Sequence, residues 1–227
     1  MLVIALTLGL LPGFAWLAFY LSEDPHPEPK RLIALTFFIG IAFGFFTIAA
    51  EQLWYGALSP IGIEELSIVS LIVLAFIEEI MKFGAAYATV GRSPELDEPI
   101  DRMIYIVVAS LGFATLENIG ALSNIPLAGT QAALIANVLQ TDSLRFVGAT
   151  LLHTLTSSIV GYHWALGAAR GHMARNLFTG LAIATVLHAF FNYLILNYGN
   201  IAYAVVFLVI VGFFVLNDFE KIKVKPS

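Results

Sequence analysis

Two adjacent carboxylates, Glu78 and Glu79, lie deep inside an apolar run of the chain, and Lys82 follows one turn later. The run, residues 71–83, otherwise has the composition of a membrane-spanning helix. A charged side chain at the bilayer centre costs from about 2.5 to more than 10 kcal/mol, and two neighbouring carboxylates require a shared proton or a nearby cation. Glu78 and Lys82, at i,i+4 spacing, share a helix face. A helix built only to span would not carry these groups, so the pair is the first candidate for a reactive centre.

Three further apolar segments carry acid, imidazole or amide groups. Glu117 and Asn118 lie in one, His153 lies in another, and His188 and Asn192 share a face of the third at i,i+4 spacing. A purely structural interpretation needs a buried ion pair, interhelical hydrogen bonds and satisfied core histidines all in the same chain. A reactive centre accounts for all of them together.

The composition places the chain among integral membrane proteins. Its residues are 59 % hydrophobic and 12 % charged, with a mean hydropathy of +0.87, whereas soluble proteins are about 25 % charged. The net charge of −5 argues against a nucleic-acid partner. The chain contains no cysteine, which excludes disulfides, thiolate chemistry and cysteine-based metal sites.

The apolar runs predict an all-α, polytopic transmembrane helical bundle that forms a single integral-membrane domain over residues 1–227, with its polar motifs in residues 78–192. About seven spans are expected, near residues 2–20, 32–54, 66–89, 103–122, 146–168, 177–197 and 200–217. The segment 129–141 is too short to span and is expected to form an interfacial or re-entrant helix.

The basic residues predict the orientation of the bundle. They concentrate in alternate connections: Lys30 and Arg31, Arg92 and Arg102, Arg170 and Arg175, and Lys221, Lys223 and Lys225. The connections of opposite parity hold only Arg145. Because cytoplasmic loops are enriched in Lys and Arg, the N-terminus is expected outside and the C-terminus in the cytoplasm. At 1.5 Å rise per residue, the polar residues then lie roughly 8–18 Å below the outer ends of their spans, which is compatible with one shared pocket.

The polar motifs occur in an order that resembles a known family. They are Glu78-Glu79-x-x-Lys82, Phe113-x-x-x-Glu117-Asn118, His153 with Gly161 eight residues later, and His188-x-x-x-Asn192. This order resembles the PrsW family of intramembrane proteases, which is distantly similar to the CAAX-prenyl proteases and the bacteriocin-processing proteins. The loop Asp97-Glu98-Pro99-Ile-Asp101 is also similar to that family, although Arg102 stands where relatives commonly have glycine.

The resemblance implies an intramembrane endopeptidase in a prokaryotic plasma membrane. Its substrate would be a single-span or membrane-anchored protein, cut at or near the extracytoplasmic side, as in the first cleavage of anti-sigma factors. The lipid bilayer is the other expected partner, and no nucleic acid is expected.

Residue chemistry and the resemblance together suggest roles for the polar groups. Glu78 would act as general base on a water molecule, Glu79 would share a proton or hold position, and Lys82 would compensate charge. His153 would orient the water or protonate the leaving amine, and Glu117, beside Asn118, would orient a histidine or the water. His188 and Asn192 would donate hydrogen bonds to the oxyanion, a role typically worth a factor of about 10²–10³.

A zinc version of the site stays open, and so do two functions of other classes. Glu78, Glu117, His153 and His188 are the candidate ligands, but no cofactor is the favoured expectation because the His-Glu-x-x-His signature is absent. A proton-coupled transporter also needs buried Glu, His and Lys networks. A non-catalytic scaffold or immunity protein would keep the bundle without the chemistry.

Overall fold

The computed structural model describes residues 2–58, 64, 66–126, 130–198 and 200–223. Within them the chain forms eight α-helices and no strand. The helices are α1 (Leu2–Ser22), α2 (Lys30–Leu58), α3 (Ile68–Val90), α4 (Asp101–Ser123), α5 (Gln131–Arg145), α6 (Leu151–Arg170), α7 (Met173–Tyr198) and α8 (Ile201–Lys223). A π-helical turn, Phe146–Thr150, joins α5 to α6. The prediction of an all-α bundle is confirmed.

Four of these helices, α2, α4, α7 and α8, are long and apolar enough to cross a membrane. Helix α3 is interrupted by the charged residues Glu78, Glu79 and Lys82, and α6 is less apolar because it is rich in serine, threonine and histidine. The chain is therefore a multi-pass membrane protein, whereas the crossing of all seven long helices and their orientation stay predictions. The segment expected to be an interfacial or re-entrant helix, residues 129–141, lies largely in α5, which continues through the π turn into α6. Gly129 and Lys225 lie outside the described residues.

Helix α4 is the centre of the bundle. It contacts α1, α2, α3 and α6, and residues 103–109 are fully buried. Glycines bring α2 and α4 close together: a Cβ at Gly112 would lie 2.0 Å from the carbonyl oxygen of Phe37, and one at Gly40 would lie 2.1 Å from that of Ala109. Small residues allow this close approach of helices in membranes. The crossing fixes α4, and with it the glutamate on its C-terminal half.

Helices α3, α6 and α7 form the remaining walls of the polar pocket. Helix α6 packs on both α4 and α7, and α7 also packs on α3. In the π turn before α6, the carbonyl oxygen of Phe146 accepts a hydrogen bond from Nε1 of Trp16 of α1 at 3.0 Å, and the two rings stack. Helix α1 thereby supports the π turn that precedes α6.

Candidate active site

The structure brings seven of the eight predicted site residues into one connected cluster. Helix α3 supplies Glu78, Glu79 and Lys82, α4 supplies Glu117 and Asn118, α6 supplies His153, and α7 supplies His188. Most of these side chains are buried, and Glu79 and Lys82 are fully so. These residues are far apart in the chain, so their convergence depends on the packing of four helices.

Glu79 is the anchored carboxylate of the cluster. Its Oε1 accepts hydrogen bonds from Lys82 Nζ at 2.6 Å and from Thr156 Oγ1 at 3.0 Å, and it lies 2.7 Å from Nδ1 of His188. Lys82 therefore forms its ion pair with Glu79. The i,i+4 spacing in the sequence instead places Lys82 on the same helix face as Glu78. The donors on α6 and α7 determine this choice, because they hold Glu79 on the side of the helix that Lys82 can reach.

Glu78 faces two imidazole rings. Its Oε2 is buried and has no hydrogen-bond partner among the described residues. That oxygen lies 3.8 Å from Nδ1 of His153 and 3.6 Å from Nε2 of His188. The two rings meet edge to face with centroids 5.2 Å apart. A buried carboxylate oxygen without a partner is costly, so this position suits a water molecule, a proton or a cation.

The ring of His153 is held from both sides. Nε2 lies 3.0 Å from Oε2 of Glu117, and Nδ1 lies 3.0 Å from Nζ of Lys82. Because a carboxylate only accepts and an ammonium only donates, a neutral His153 carries its proton on Nε2 and accepts at Nδ1. By the same reasoning His188 donates from Nδ1 to Glu79, and its Nε2 presents a lone pair toward Glu78.

Sequence reasoning missed two groups that complete the cluster. Arg145 donates to Glu117 Oε2 at 2.8 Å and also to Oδ1 of Asn118. Arg145 is the isolated basic residue on the side predicted to be outside, which is a signal that could have revealed it. The other group is Thr156, which lies one turn after His153 and on the same helix face.

Asn192, the eighth predicted residue, lies one turn beyond His188 and is half-buried. In the described chain its side chain makes no hydrogen bond to the cluster. Its role in the chemistry stays a prediction, as do the roles of the other site residues.

Three of the four candidate metal ligands fit a metal ion. Glu78, His153 and His188 each offer one ligand atom, and these atoms lie within 4.8 Å of one another. In tetrahedral zinc sites with bonds of about 2.0–2.1 Å, neighbouring ligand atoms are about 3.3 Å apart, so small movements would close the set. Glu117 is outside it because it contacts Nε2, the opposite nitrogen of His153. One contact competes with a metal, since Lys82 already donates to Nδ1 of His153.

The acidic loop that leads into α4, residues 97–101, lies away from this cluster. Its backbone N–H at Glu98 donates to Oδ2 of Asp101 at 2.6 Å, and its Glu98 carboxylate lies 3.0 Å from Nδ1 of His26. That contact raises the pKa of the exposed His26. Asp101 and Glu117 are sixteen residues apart on α4, or about 24 Å. The loop therefore ties the α1–α2 connection to the far end of the bundle.

A helical membrane bundle that gathers carboxylates, imidazoles and an ammonium group in its interior defines a membrane protein with a buried reactive centre. Comparison with known proteins identifies its class. The sequence profile described as "PrsW family intramembrane metalloprotease" matches residues 28–216. The chain belongs to this family, and it is a membrane peptidase.

Relatives named Protease PrsW match most of the chain. Protease PrsW of Geobacillus kaustophilus is 30 % identical over 198 residues, covering 83 % of this chain and 78 % of the relative. Protease PrsW of Bacillus subtilis is 28 % identical over 225 residues, covering 94 % and 93 %. No solved structure matches the chain. The resemblance drawn from the motifs is confirmed, whereas the expectation of no cofactor is not, because the family is described as a metalloprotease and the Glu78 triad can hold an ion.

Proposed function

We propose that this protein is an intramembrane endopeptidase that cleaves membrane-anchored proteins near the extracytoplasmic side, with water activated at Glu78. The observation that carries the proposal is the buried, unpartnered Oε2 of Glu78 between His153 and His188. A peptidase inside a membrane must hold one water molecule where water is scarce, and this position offers converging acceptors for it.

The hydrogen-bond directions suggest how the water is held. It donates one proton to Glu78 and the other to the Nε2 lone pair of His188, so its oxygen lone pairs face the substrate. As the oxygen attacks the carbonyl carbon, Glu78 takes the first proton and later delivers it to the leaving amide nitrogen. A neutral His188 then orients the water rather than donating to the oxyanion. The amide of Asn192, free of other hydrogen bonds in the described chain, is the donor available for that oxyanion.

The remaining residues keep these groups in place. Lys82 and Thr156 hold Glu79, and Glu79 fixes the ring of His188. Glu117, itself held by Arg145, fixes the ring of His153. Pre-organised dipoles and charges of this kind lower the barrier because they do not have to reorganise during the reaction.

The extracytoplasmic position is supported by the charge pattern of the loops. Arg145 lies in a connection predicted to face outward, and its guanidinium reaches the cluster through Glu117 at 2.8 Å. The Glu117 side chain is one-third exposed, so the cluster is least enclosed on this side. A substrate anchored by one span would present the outer part of that span here.

A second mechanism for the same peptidase is favoured by the ligand set and by the family description. A divalent metal ion held by Glu78, His153 and His188 would polarise the carbonyl and acidify a bound water. Glu79 and Glu117 already contact the outer nitrogens of the two rings, as carboxylates do for metal-bound imidazoles. In this version Lys82 turns away from His153 and keeps its bond to Glu79.

The test is the appearance of new protein termini in a native membrane. Proteoliposomes that contain the purified protein are fused with membranes from a Bacillus subtilis strain that lacks its own Protease PrsW. New N-termini are then mapped by mass spectrometry. Wild type is compared with Glu78→Gln and with Glu95→Gln, the same substitution at an exposed loop position. Each is run with and without a chelator.

We expect termini that appear with wild type and Glu95→Gln and vanish with Glu78→Gln. Loss on chelation and recovery with zinc would establish the metal mechanism, and indifference to chelation would establish the glutamate mechanism. Equal termini in all samples would refute the assignment of Glu78. Absence of new termini with wild type would refute cleavage of membrane-anchored proteins near the extracytoplasmic side.

A further inference from the structure

A groove runs between the N-terminal part of α3 and the C-terminal part of α7. It encloses about 270 Å³. Leu71 and Ala189 form its buried floor. Its walls are apolar and largely exposed: Ile68, Ile72, Val186, Phe190 and Tyr193. It therefore has room for one large apolar side chain that approaches from the lipid.

The floor of the groove lies next to the reactive cluster along both helices. On α3, Leu71, Ala75 and Glu78 follow one another along a single face at i, i+4 and i+7. On α7, Ala189 is the residue next to His188. Leu71, Ala75 and Ala189 pack together in one small apolar cluster. Along this face of α3, Ala75 is the residue between the groove floor at Leu71 and Glu78.

We infer that this groove is a specificity subsite for the substrate, and that it takes a large apolar side chain on the extracytoplasmic side of the scissile bond. The inference rests on the proposed function, because it uses Glu78 as the cutting point. The occupant is a segment of the substrate's own membrane span, since the groove opens to the lipid and its floor lies on the two helices that carry Glu78 and His188.

The spacing along the two helices fixes which substrate residue enters. Leu71 and Ile72 precede Glu78 by seven and six residues, which is about 9–10 Å along the helix axis. Tyr193 follows His188 by five residues, or about 7.5 Å. An extended chain covers this distance in two or three residues at about 3.3 Å each. The subsite thus recognises the second or third residue from the cut.

The larger groove of the bundle does not compete for this role. It encloses about 520 Å³ between α1 and α2, and its lining includes Phe14, Phe37 and Phe38. Its lining residues belong to α1, α2 and their connection, none of which carries a predicted site residue. A cavity of that kind suits lipid tails, whereas the smaller groove is formed by α3 and α7, the helices that carry Glu78 and His188.

The experiment compares cleavage-site profiles, using the same Bacillus subtilis membranes as the probe. Ala189→Phe fills the floor of the groove, and Tyr193→Ala widens its wall. Ala182→Phe is the matched control, because it makes the same change at an exposed position of the same helix. The profile of residues around each new terminus is compiled for every variant, and co-purified lipids are counted.

We expect the wild-type profile to favour Leu, Ile, Met or Phe at the second or third position. Ala189→Phe should lower cleavage of those substrates at least tenfold relative to substrates with Ala or Gly there, and Tyr193→Ala should shift preference toward larger side chains. Ala182→Phe should keep the wild-type profile. If Ala189→Phe does not fold, the change in cleavage-site profile with Tyr193→Ala tests the subsite by itself.

Two results would overturn the inference and leave the peptidase intact. One is Glu78-dependent cleavage whose profile does not change in either groove variant. The other is a change in bound lipid with no change in profile, which would make the groove a lipid site. Absence of Glu78-dependent cleavage altogether would instead refute the proposed function, and the inference with it.

Discussion

Replacing Lys82 by methionine removes the cation from the centre of the bundle. Nζ of Lys82 lies 2.6 Å from Oε1 of Glu79, and both side chains are fully buried. At that distance the attraction is about 6 kcal/mol for an effective dielectric constant of about 20. Part of it offsets the cost of burying the lysine, so breaking the pair should lower the free energy of unfolding by about 3–5 kcal/mol. Methionine keeps a similar length, so packing changes little.

The assay is reversible unfolding in mixed detergent micelles, followed by the fluorescence of the three tryptophans. Glu79→Gln alone should be similarly destabilising, and Lys82→Met with Glu79→Gln should recover a coupling energy of about 2–3 kcal/mol. Lys221→Met is the matched control: Lys221 also pairs with an acid at i,i+3, Asp218 at 3.0 Å, but on the surface. No measurable loss is expected there. A Lys82→Met protein as stable as wild type, or a double variant with additive losses, would refute the reasoning.

Two further substitutions test the positioning of the site and the packing of the bundle. Glu117→Gln weakens the contacts that hold His153 and should lower kcat about 10- to 100-fold, the range for carboxylates that orient a functional imidazole; an unchanged kcat with lowered thermal stability would mean that Glu117 is only structural. Gly112→Ala should destabilise the bundle by about 1–3 kcal/mol, because its new Cβ would meet the backbone of Phe37 at 2.0 Å. Gly120→Ala on the same helix has open space around it and should be neutral or stabilising by up to about 1 kcal/mol, so equal effects at the two glycines would contradict the close helix crossing.

Helix positions and the cluster's membership were predictable because they depend on local patterns. Apolar runs of about 20 residues and polar breaks define membrane helices, and an expensive group such as Glu78 or His188 inside one stands out. The family resemblance followed from the order of the motifs. None of this requires knowledge of which helices touch.

The pairings inside the cluster depend on that knowledge. Spacing allows Lys82 to pair with Glu79 at i,i+3 or with Glu78 at i,i+4, and only the donors on α6 and α7 decide between them. Thr156 resembled any other hydroxyl in a span, because serine and threonine are routine there. Its contact with Glu79 joins residues 77 positions apart in the chain, which no local pattern reports.

The π turn between α5 and α6 also bears on how this chain should be aligned with its relatives. Arg145 and His153 are eight residues apart, which in a regular α-helix would turn them about 80° away from each other. Both nevertheless reach Glu117, because the wider turn at Phe146–Thr150 absorbs one residue. A homologue with seven residues of separation and an unbroken helix would present the same two groups to the same glutamate. A one-residue gap in an alignment at this point would therefore mark a change of helix type and leave the chemistry unchanged.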